Sequence, residues 1–288
     1  MLSARTLMEQ GVEVTGLVFV SHFFGAAKAR KAAEQLGVKL KEIEFKKEHF
    51  DMVKNPKHGY GKNINPCIDC HTLMLKRAKK IMEDEGYDFA ATGEILGQRP
   101  MSQNKSALET VNRESGLGDL LVRPMSAKLL DETKPEKNGW LKRGKLHEIS
   151  GRSRWRQREL VEKYGIKEYA SPGGGCLLTD PEFSRRLIRM LDYWPDCAGS
   201  NTELLKSGRV FWISGKNGTI IIVVGRDKAD CENLEKLAQT GDILMELKDI
   251  KGPMTLVRKL EIENLEFGEL DINVPDALKL SKLRLGEE

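Results

Sequence analysis

No apolar run in this chain of 288 residues approaches the ~20 residues that cross a bilayer as a helix. The longest, Thr219-Ile-Ile-Ile-Val-Val224, is strand-sized. A basic stretch leading into an apolar one and a small-residue cleavage site is missing too, so no secretory signal pattern is visible. There is no internal repeat and no low-complexity tract. Cysteines number five, an odd count that argues against a disulfide framework and for metal or thiol chemistry. These absences exclude the membrane, collagen-like and secreted disulfide-scaffold classes, and the expectation is a cytoplasmic protein with no membrane partner. What is present is a core: 40% of residues are hydrophobic and 31% charged, a balance that folds. At roughly 100–200 residues per domain, two compact units are expected.

The formal net charge is only +4, but its placement is informative. Between Lys142 and Arg158 lie seven Lys/Arg residues against one acid, Glu148. Such a local excess of one sign points to a polyanion docking on one face. Within it, Arg152, Arg154, Trp155, Arg156 and Arg158 interleave cations with an aromatic, a pattern suited to phosphate contacts plus base stacking; a solvated helix face is the bland alternative.

Hydrophobic spacing and end signals predict a helix over 2–10, a strand over 14–20, a helix over 25–36 closed by Gly37, and a strand over 39–45. Residues 46–66 read as loop, because Asn55-Pro56, Gly59, Gly61 and Asn65-Pro66 are breakers. A helix from His71 to Glu85 then precedes a strand over 87–92. Alternation of this kind predicts an α/β fold with a parallel, doubly wound sheet. A basic helix over 152–164 follows, then a Gly-rich turn at 171–176 and a helix begun by Asp180-Pro181. The remainder reads as a small α+β unit, with strands near 209–214, 219–224, 242–248 and 254–258, a helix at 230–238 and a hairpin signal at Lys216-Asn-Gly218. The boundaries drawn are 1–150 for a nucleotide domain, 151–200 for a basic helical extension carrying Cys176, and 201–288 for the C-terminal domain.

Chemistry concentrates first in Asn65-Pro-Cys67-Ile-Asp-Cys70-His71, a C-x2-C at the mouth of a helix, where the helix start favours thiolate. A third thiol, Cys176, stands 106 residues beyond Cys70 in the Gly-rich turn. Three cysteines would hold a [4Fe-4S] cluster with one open iron, or serve a two-cysteine persulfide mechanism; the bland reading is three small buried residues. Cys197 and Cys231 have no partner spacing and read as structural, as do His22, His49, His58 and His147. His71 reads as a helix-start residue. A second segment, Thr92-Gly93-Glu94-Ile-Leu-Gly97-Gln98 with Ser102-Gln103, follows a strand and so falls at the sheet edge where α/β proteins bind ligands.

That loop together with Leu121-Val-Arg-Pro124 resembles the adenylation domain of tRNA 4-thiouridine synthases (ThiI type), and Asn65-Pro-Cys67-x-x-Cys70 is similar to the tRNA 2-thiouridylases (MnmA type). Both are PP-loop ATPases, and the resemblance covers residues 1–190. The segments Val223-Val-Gly-Arg-Asp227, 241–250 and Val257-Arg258 look like an NFACT-R domain, an RNA-associated module. The resemblance implies an ATP-dependent tRNA sulfurtransferase using ATP and Mg2+, with Cys67 and Cys176 as catalytic thiols and Val18, Phe19, Gly93, Gln98 and Gln103 contacting the nucleotide. It implies tRNA as partner and a cysteine desulfurase or other sulfide source as sulfur donor, and it leaves a homodimer open. The family's S-G-G-x-D-S pyrophosphate loop has no counterpart before the first helix, and the expectation is that the chain has lost its true beginning. A non-catalytic RNA-binding relative is the rival reading, and PP-loop chemistry on a small molecule a third.

Overall fold

The computed structural model describes residues 1–169, 175–215, 218–247, 252–260 and 283–285. Two compact units are present, Met1–Thr179 and Asp180–Glu288.

The first unit is mixed α/β. Helix α1 (Leu2–Met8) is followed by β1 (Thr15–Val20), α2 (Ala27–Leu36) and β2 (Lys39–Glu44). β1 and β2 pair in parallel, Thr15 opposite Lys39 through Val20 opposite Glu44, so α2 is the crossover that a parallel pair requires. Helix α3 (Lys46–Lys54) occupies half of the stretch read from sequence as loop. The breakers begin only at Asn55, and before them His49, Phe50 and Val53 fall on one helical face that is buried. Helix α4 (Cys67–Glu85) begins four residues earlier than expected, directly after Pro66, so both cysteines of the C-x2-C lie in its first turns. It ends at Gly86, whose φ of 73° gives the left-handed cap that residues with a Cβ rarely adopt.

A second parallel pair joins β3 (Ala90–Ala91) to β4 (Leu121–Val122) across α5 (Lys105–Ser115). Parallel α/β architecture is therefore present, but among the described residues it forms two separate two-stranded sheets and not one doubly wound sheet. The strand expected over 87–92 shortens to two residues because the chain after Ala91 turns into a loop tied by side chains. Leu75 and Met82 of α4 pack with Val111 of α5, Leu117 and Leu121. A separate cluster joins Leu7 of α1 to Val122 and Leu141, and a third joins Ile95, Met125 and Ile149 to Leu2 and Leu160. Leu160 belongs to α7 (Trp155–Lys163), which follows the single-turn α6 (Lys134–Lys137).

The second unit opens with α8 (Pro181–Tyr193), capped as expected: the Asp180 carboxylate accepts from the Phe183 N–H at 2.8 Å. Strands β5 (Arg209–Gly215) and β6 (Gly218–Val224) pair antiparallel; Lys216 and Asn217 of the hairpin signal lie outside the described residues. Helix α9 (Lys228–Leu237), β7 (Ile243–Met245), β8 (Thr255–Lys259) and β9 (Leu283–Leu285) complete a sheet of order β5-β6-β8-β7-β9. Arg258 is buried and bonds Asp242 through Nε at 2.8 Å and Nη2 at 2.7 Å, a pair of fixed geometry. Gly208 enters β5 at φ 66°, where a Cβ would lie 2.3 Å from the Val224 carbonyl oxygen. Gly208→Ala is expected to lower the unfolding free energy measured by urea titration by about 1–3 kcal/mol through strain and clash together. Asp180→Ala, which only removes a cap, is expected to cost about 1 kcal/mol in the same titration.

Candidate functional site

Three thiols from two distant segments meet in the first unit. Cys67 opens α4, and its Sγ accepts from the Asn65 side-chain amide at 3.2 Å. Cys70 stands one turn on, with its Sγ 3.2 Å from Nε2 of His49 on α3. Cys176 precedes a short turn, and its sulfur accepts from the backbone N–H groups of Leu178 and Thr179. Asn63 fastens this segment to the loop before α4 by donating to the Thr179 carbonyl at 2.8 Å. The proximity shows in the electrostatics. Burial pushes the Cys176 thiol up to about 11, and a charge on Cys67 adds to the shift, while Arg99 opposes it. Burial raises the Cys70 thiol well above the usual range, with Cys176, Cys67 and Asp69 contributing further.

The expectation that the helix start favours thiolate therefore fails for Cys70. A helix terminus contributes at most about 2 kcal/mol, less than the cost of a charge out of water. The Cys70 neighbour does not compensate: burial first, and His22 second, hold His49 at about 4, so its imidazole is neutral at pH 7. His49 is fully buried among the rings of Phe23, Phe24 and Phe45, with ring centroids 4.9–5.7 Å away. Its Nδ1 has no partner among the described residues.

Asp69, between the cysteines, secures the approach to α4. It accepts from the His58 backbone N–H and from His58 Nδ1, both at 3.0 Å, and His58 Nε2 lies 3.3 Å from Glu114 on α5. On the other side His71 donates from Nδ1 to Glu94 at 2.9 Å. The second oxygen of Glu94 accepts from Arg123 Nε at 2.9 Å and Thr92 Oγ1 at 3.1 Å, and Arg123 Nη2 donates to the Leu108 carbonyl. Burial would raise the Glu94 carboxyl, but the His71 hydrogen bond and the Arg123 charge outweigh it and hold it at about 2. The Glu94 carboxylate is thus ionised and almost fully buried.

The loop expected to meet a nucleotide is firmly built. Leu96 N–H donates to Ser126 Oγ, which donates to the Ile149 carbonyl, and Gly97 N–H donates to the Gln103 carbonyl at 2.6 Å. Gln103 is buried and its side-chain Oε1 has no partner among the described residues, an open acceptor of the kind an amino group on a base would fill. Gly93 leaves Ser3 Oγ 3.8 Å from where its Cβ would be, and Gln98 is half-buried in the same loop. Val18 is partly covered at the end of β1, and the Phe19 ring packs on Phe45 at 5.1 Å inside the core. The structure places Phe19 as packing and leaves only its backbone for a ligand.

The basic segment folds as expected but starts later, with α7 at Trp155. Trp155 is 54% exposed, and the Arg156 guanidinium lies 4.1 Å over its ring. Arg152 and Arg158 are exposed, and Arg154 is partly covered. The Gly-rich turn expected at 171–176 lies mostly outside the described residues.

Among the described residues no group of three or more His, Cys, Asp or Glu is disposed to hold a metal ion, so the structure gives no support to a [4Fe-4S] cluster on Cys67, Cys70 and Cys176.

Glu94 and Arg123 were not singled out from sequence. Both stand inside segments that carry the family resemblance, Thr92–Gln98 and Leu121–Pro124, but nothing local marks them as partners 29 residues apart. His71 carried a signal, standing four residues after Cys67 on the same helical face.

Fold and site define a mixed α/β protein with three thiols in electrostatic range of one another and, just after β3, a buried carboxylate held by His71 and Arg123. No family model matches the chain. Part of it is similar to curated tRNA-specific 2-thiouridylases MnmA. The protein of Sulfurimonas denitrificans is 38% identical over 109 residues, 33% of this chain and 31% of that one. That of Haemophilus ducreyi is 28% identical over 123 residues, 37% and 32%. That of Proteus mirabilis is 28% identical over 127 residues, 38% and 35%. The chain spans about a third of the length of the curated relatives it matches.

Proposed function

We propose that this chain is an ATP-dependent tRNA sulfurtransferase, which adenylates a uridine carbonyl and replaces its oxygen with sulfur. The observation that carries this reading is the electrostatic coupling of Cys67 and Cys176, 109 positions apart, beside the loop of residues 92–103. The partial similarity to 2-thiouridylases supports it.

In this reading ATP enters over the 92–103 loop, where the open Gln103 Oε1 accepts from the base and Gly93 allows close approach. Mg2+ would arrive on the phosphates, which supply most of its oxygens. Adenylation turns the carbonyl oxygen into a leaving group. A persulfide on Cys67, formed when the Cys67 thiolate takes the outer sulfur of a cysteine desulfurase persulfide and releases the donor's thiolate, attacks that carbon, and AMP departs with the C–O electron pair. Cys176 then attacks Cys67 Sγ, cleaving the S–S bond to leave sulfur on the base and a Cys67–Cys176 disulfide, which an external dithiol reduces. Arg152, Arg154, Arg156 and Arg158 contact tRNA phosphates while Trp155 offers a stacking face. The segment 151–200 acts as this basic extension to the nucleotide domain of 1–150, and 201–288 as an NFACT-R-like RNA-associated domain. The setting is the cytoplasm.

The test is incubation of the chain with ATP, Mg2+, a cysteine desulfurase with cysteine, a dithiol and unmodified tRNA, with nucleosides analysed by mass spectrometry. ATP-dependent thiouridine is expected. tRNA binding with no thiouridine would replace this reading by a non-catalytic RNA-binding one. Binding itself is expected to weaken steeply with salt, with a log–log slope of about −0.9 per phosphate contacted on a duplex. Replacing Arg156 and Arg158 by Gln is expected to flatten that slope by about two. Measurement of tRNA affinity across salt concentrations checks it, and a flat dependence would favour a small-molecule substrate.

A further inference from the structure

The sulfur chemistry above leaves a proton unplaced. Attack by sulfur requires that the nucleophile lose its hydrogen. A histidine stands one helical turn beyond Cys67 on α4.

His71 lies four residues after Cys67 on α4. Residues at that spacing are neighbours, with Cβ atoms about 5–6 Å apart, and helical side chains lean toward the N-terminus, so His71 reaches back over the turn that carries Cys67. Its ring orientation is fixed from behind. Nδ1–H donates to Glu94 at 2.9 Å, and Glu94 is held in turn by Arg123 and Thr92. Glu94 and Arg123 side chains are 7% and 6% exposed, whereas His71 is 29% exposed. The buried end of the chain is thus locked, and the open end is Nε2, which has no partner among the described residues. An acceptor nitrogen facing outward, with the opposite nitrogen bonded to an ionised carboxylate, is the arrangement of a general base whose orientation a third group sets.

We propose that His71 takes the proton from the sulfur nucleophile on Cys67 and that Glu94 is the positioning residue that aims it. The inference rests on the sulfur-transfer reading of the site. In the step, the S–H bond of the Cys67 thiol or persulfide breaks, its electron pair stays on sulfur, and the proton moves to His71 Nε2; nothing is oxidised. When AMP leaves, the same nitrogen can return the proton to the departing phosphate or to solvent.

The test needs no tRNA. In the full chain, the rate at which iodoacetamide alkylates Cys67 is followed by peptide mass spectrometry for wild type, His71→Asn and Glu94→Gln. At pH 7 the rate in His71→Asn is expected to fall roughly tenfold, and to match wild type at about pH 9.5, where an ordinary thiol ionises unaided. Cys176 alkylation is expected to stay within about twofold of wild type, which a general loosening of the fold would not allow. Glu94→Gln is expected to show the same pH-dependent loss to a smaller degree. Should Glu94→Gln fail to fold because Arg123 is left unpaired, the half-exposed His71→Asn carries the decision alone. An unchanged rate ratio between pH 7 and pH 9.5 in His71→Asn would overturn the proposal. If alkylation behaves as expected and no thiouridine forms, the dyad stands and the sulfurtransferase reading falls; the opposite pair of results sinks the dyad alone.

Discussion

In the proposed sulfur transfer, Cys67→Ser and Cys176→Ser are each expected to reduce thiouridine formation by about 10³-fold or more, with the double variant no worse than either single one. The reason lies in what each sulfur must do. A serine hydroxyl cannot carry a persulfide, so Cys67→Ser removes the sulfur carrier. At position 176 it cannot form the disulfide that releases sulfur to the base, so Cys176→Ser stalls the reaction after attack. Two groups serving one sequence of bond exchanges act as a unit, and the second loss finds nothing left to remove. Adenylation uses neither thiol, so ATP–pyrophosphate exchange is expected to survive in both variants. That separates lost chemistry from lost folding. Cys197→Ser is the contrast: Cys197 is 2% exposed in the second unit, away from the C-x2-C helix in sequence, and its loss should touch stability and not turnover. Activity lost in Cys70→Ser but retained in Cys67→Ser would overturn the assignment of carrier and move that role one helical turn along α4.

How much of this was open to sequence reading divides along a physical line. Local signals worked where the cause is local. Gly37 and Gly86 end α2 and α4 with left-handed caps, Asp180-Pro181 starts α8, and β5 and β6 flank the hairpin signal. The α3 helix was hidden because its breakers crowd the second half of the window, whereas His49, Phe50 and Val53 already marked an apolar face. Position of the α4 start was misjudged since Cys and Ile are weak helix formers; Pro66, just outside, sets it. The C-x2-C and the Gly-rich turn already group Cys67 with Cys176 as candidate thiols, and the family resemblance adds the catalytic roles. Burial of Cys70 beside His49, which reverses the direction of its thiol shift, arises from packing α3 on α4 and has no local signature. The same holds for Glu94 and Arg123: two charges 29 residues apart become one buried pair only when β3 and β4 lie side by side.

That pair and His49 set the acid response of the first unit, in two windows. His49 is held at about 4 against 6.5 for an ordinary imidazole, so the unfolded chain takes up its proton first. The stability it contributes is complete above about pH 6.5 and is lost as pH falls to about 4, some 3 kcal/mol in total. Glu94 is held at about 2 against 4.5, so its contribution, again about 3 kcal/mol, is complete above about pH 4.5 and is lost between there and about pH 2. Urea titrations across pH should therefore show a fall in stability that starts near neutrality and does not level off until both windows are crossed. In His49→Phe, whose ring suits a cage already made of Phe23, Phe24 and Phe45, the first window should flatten while the second remains. Arg123→Ala acts on the second. At pH 7 it strands an ionised carboxylate in the interior and is expected to cost about 3–5 kcal/mol. At about pH 4 the cost should shrink, because loss of the guanidinium raises the affinity of Glu94 for a proton, against the remaining His71 hydrogen bond, and lets part of it escape by becoming neutral. An equal cost at both pH values would mean that Arg123 contributes through packing, and that the Glu94 charge is not what it holds in place.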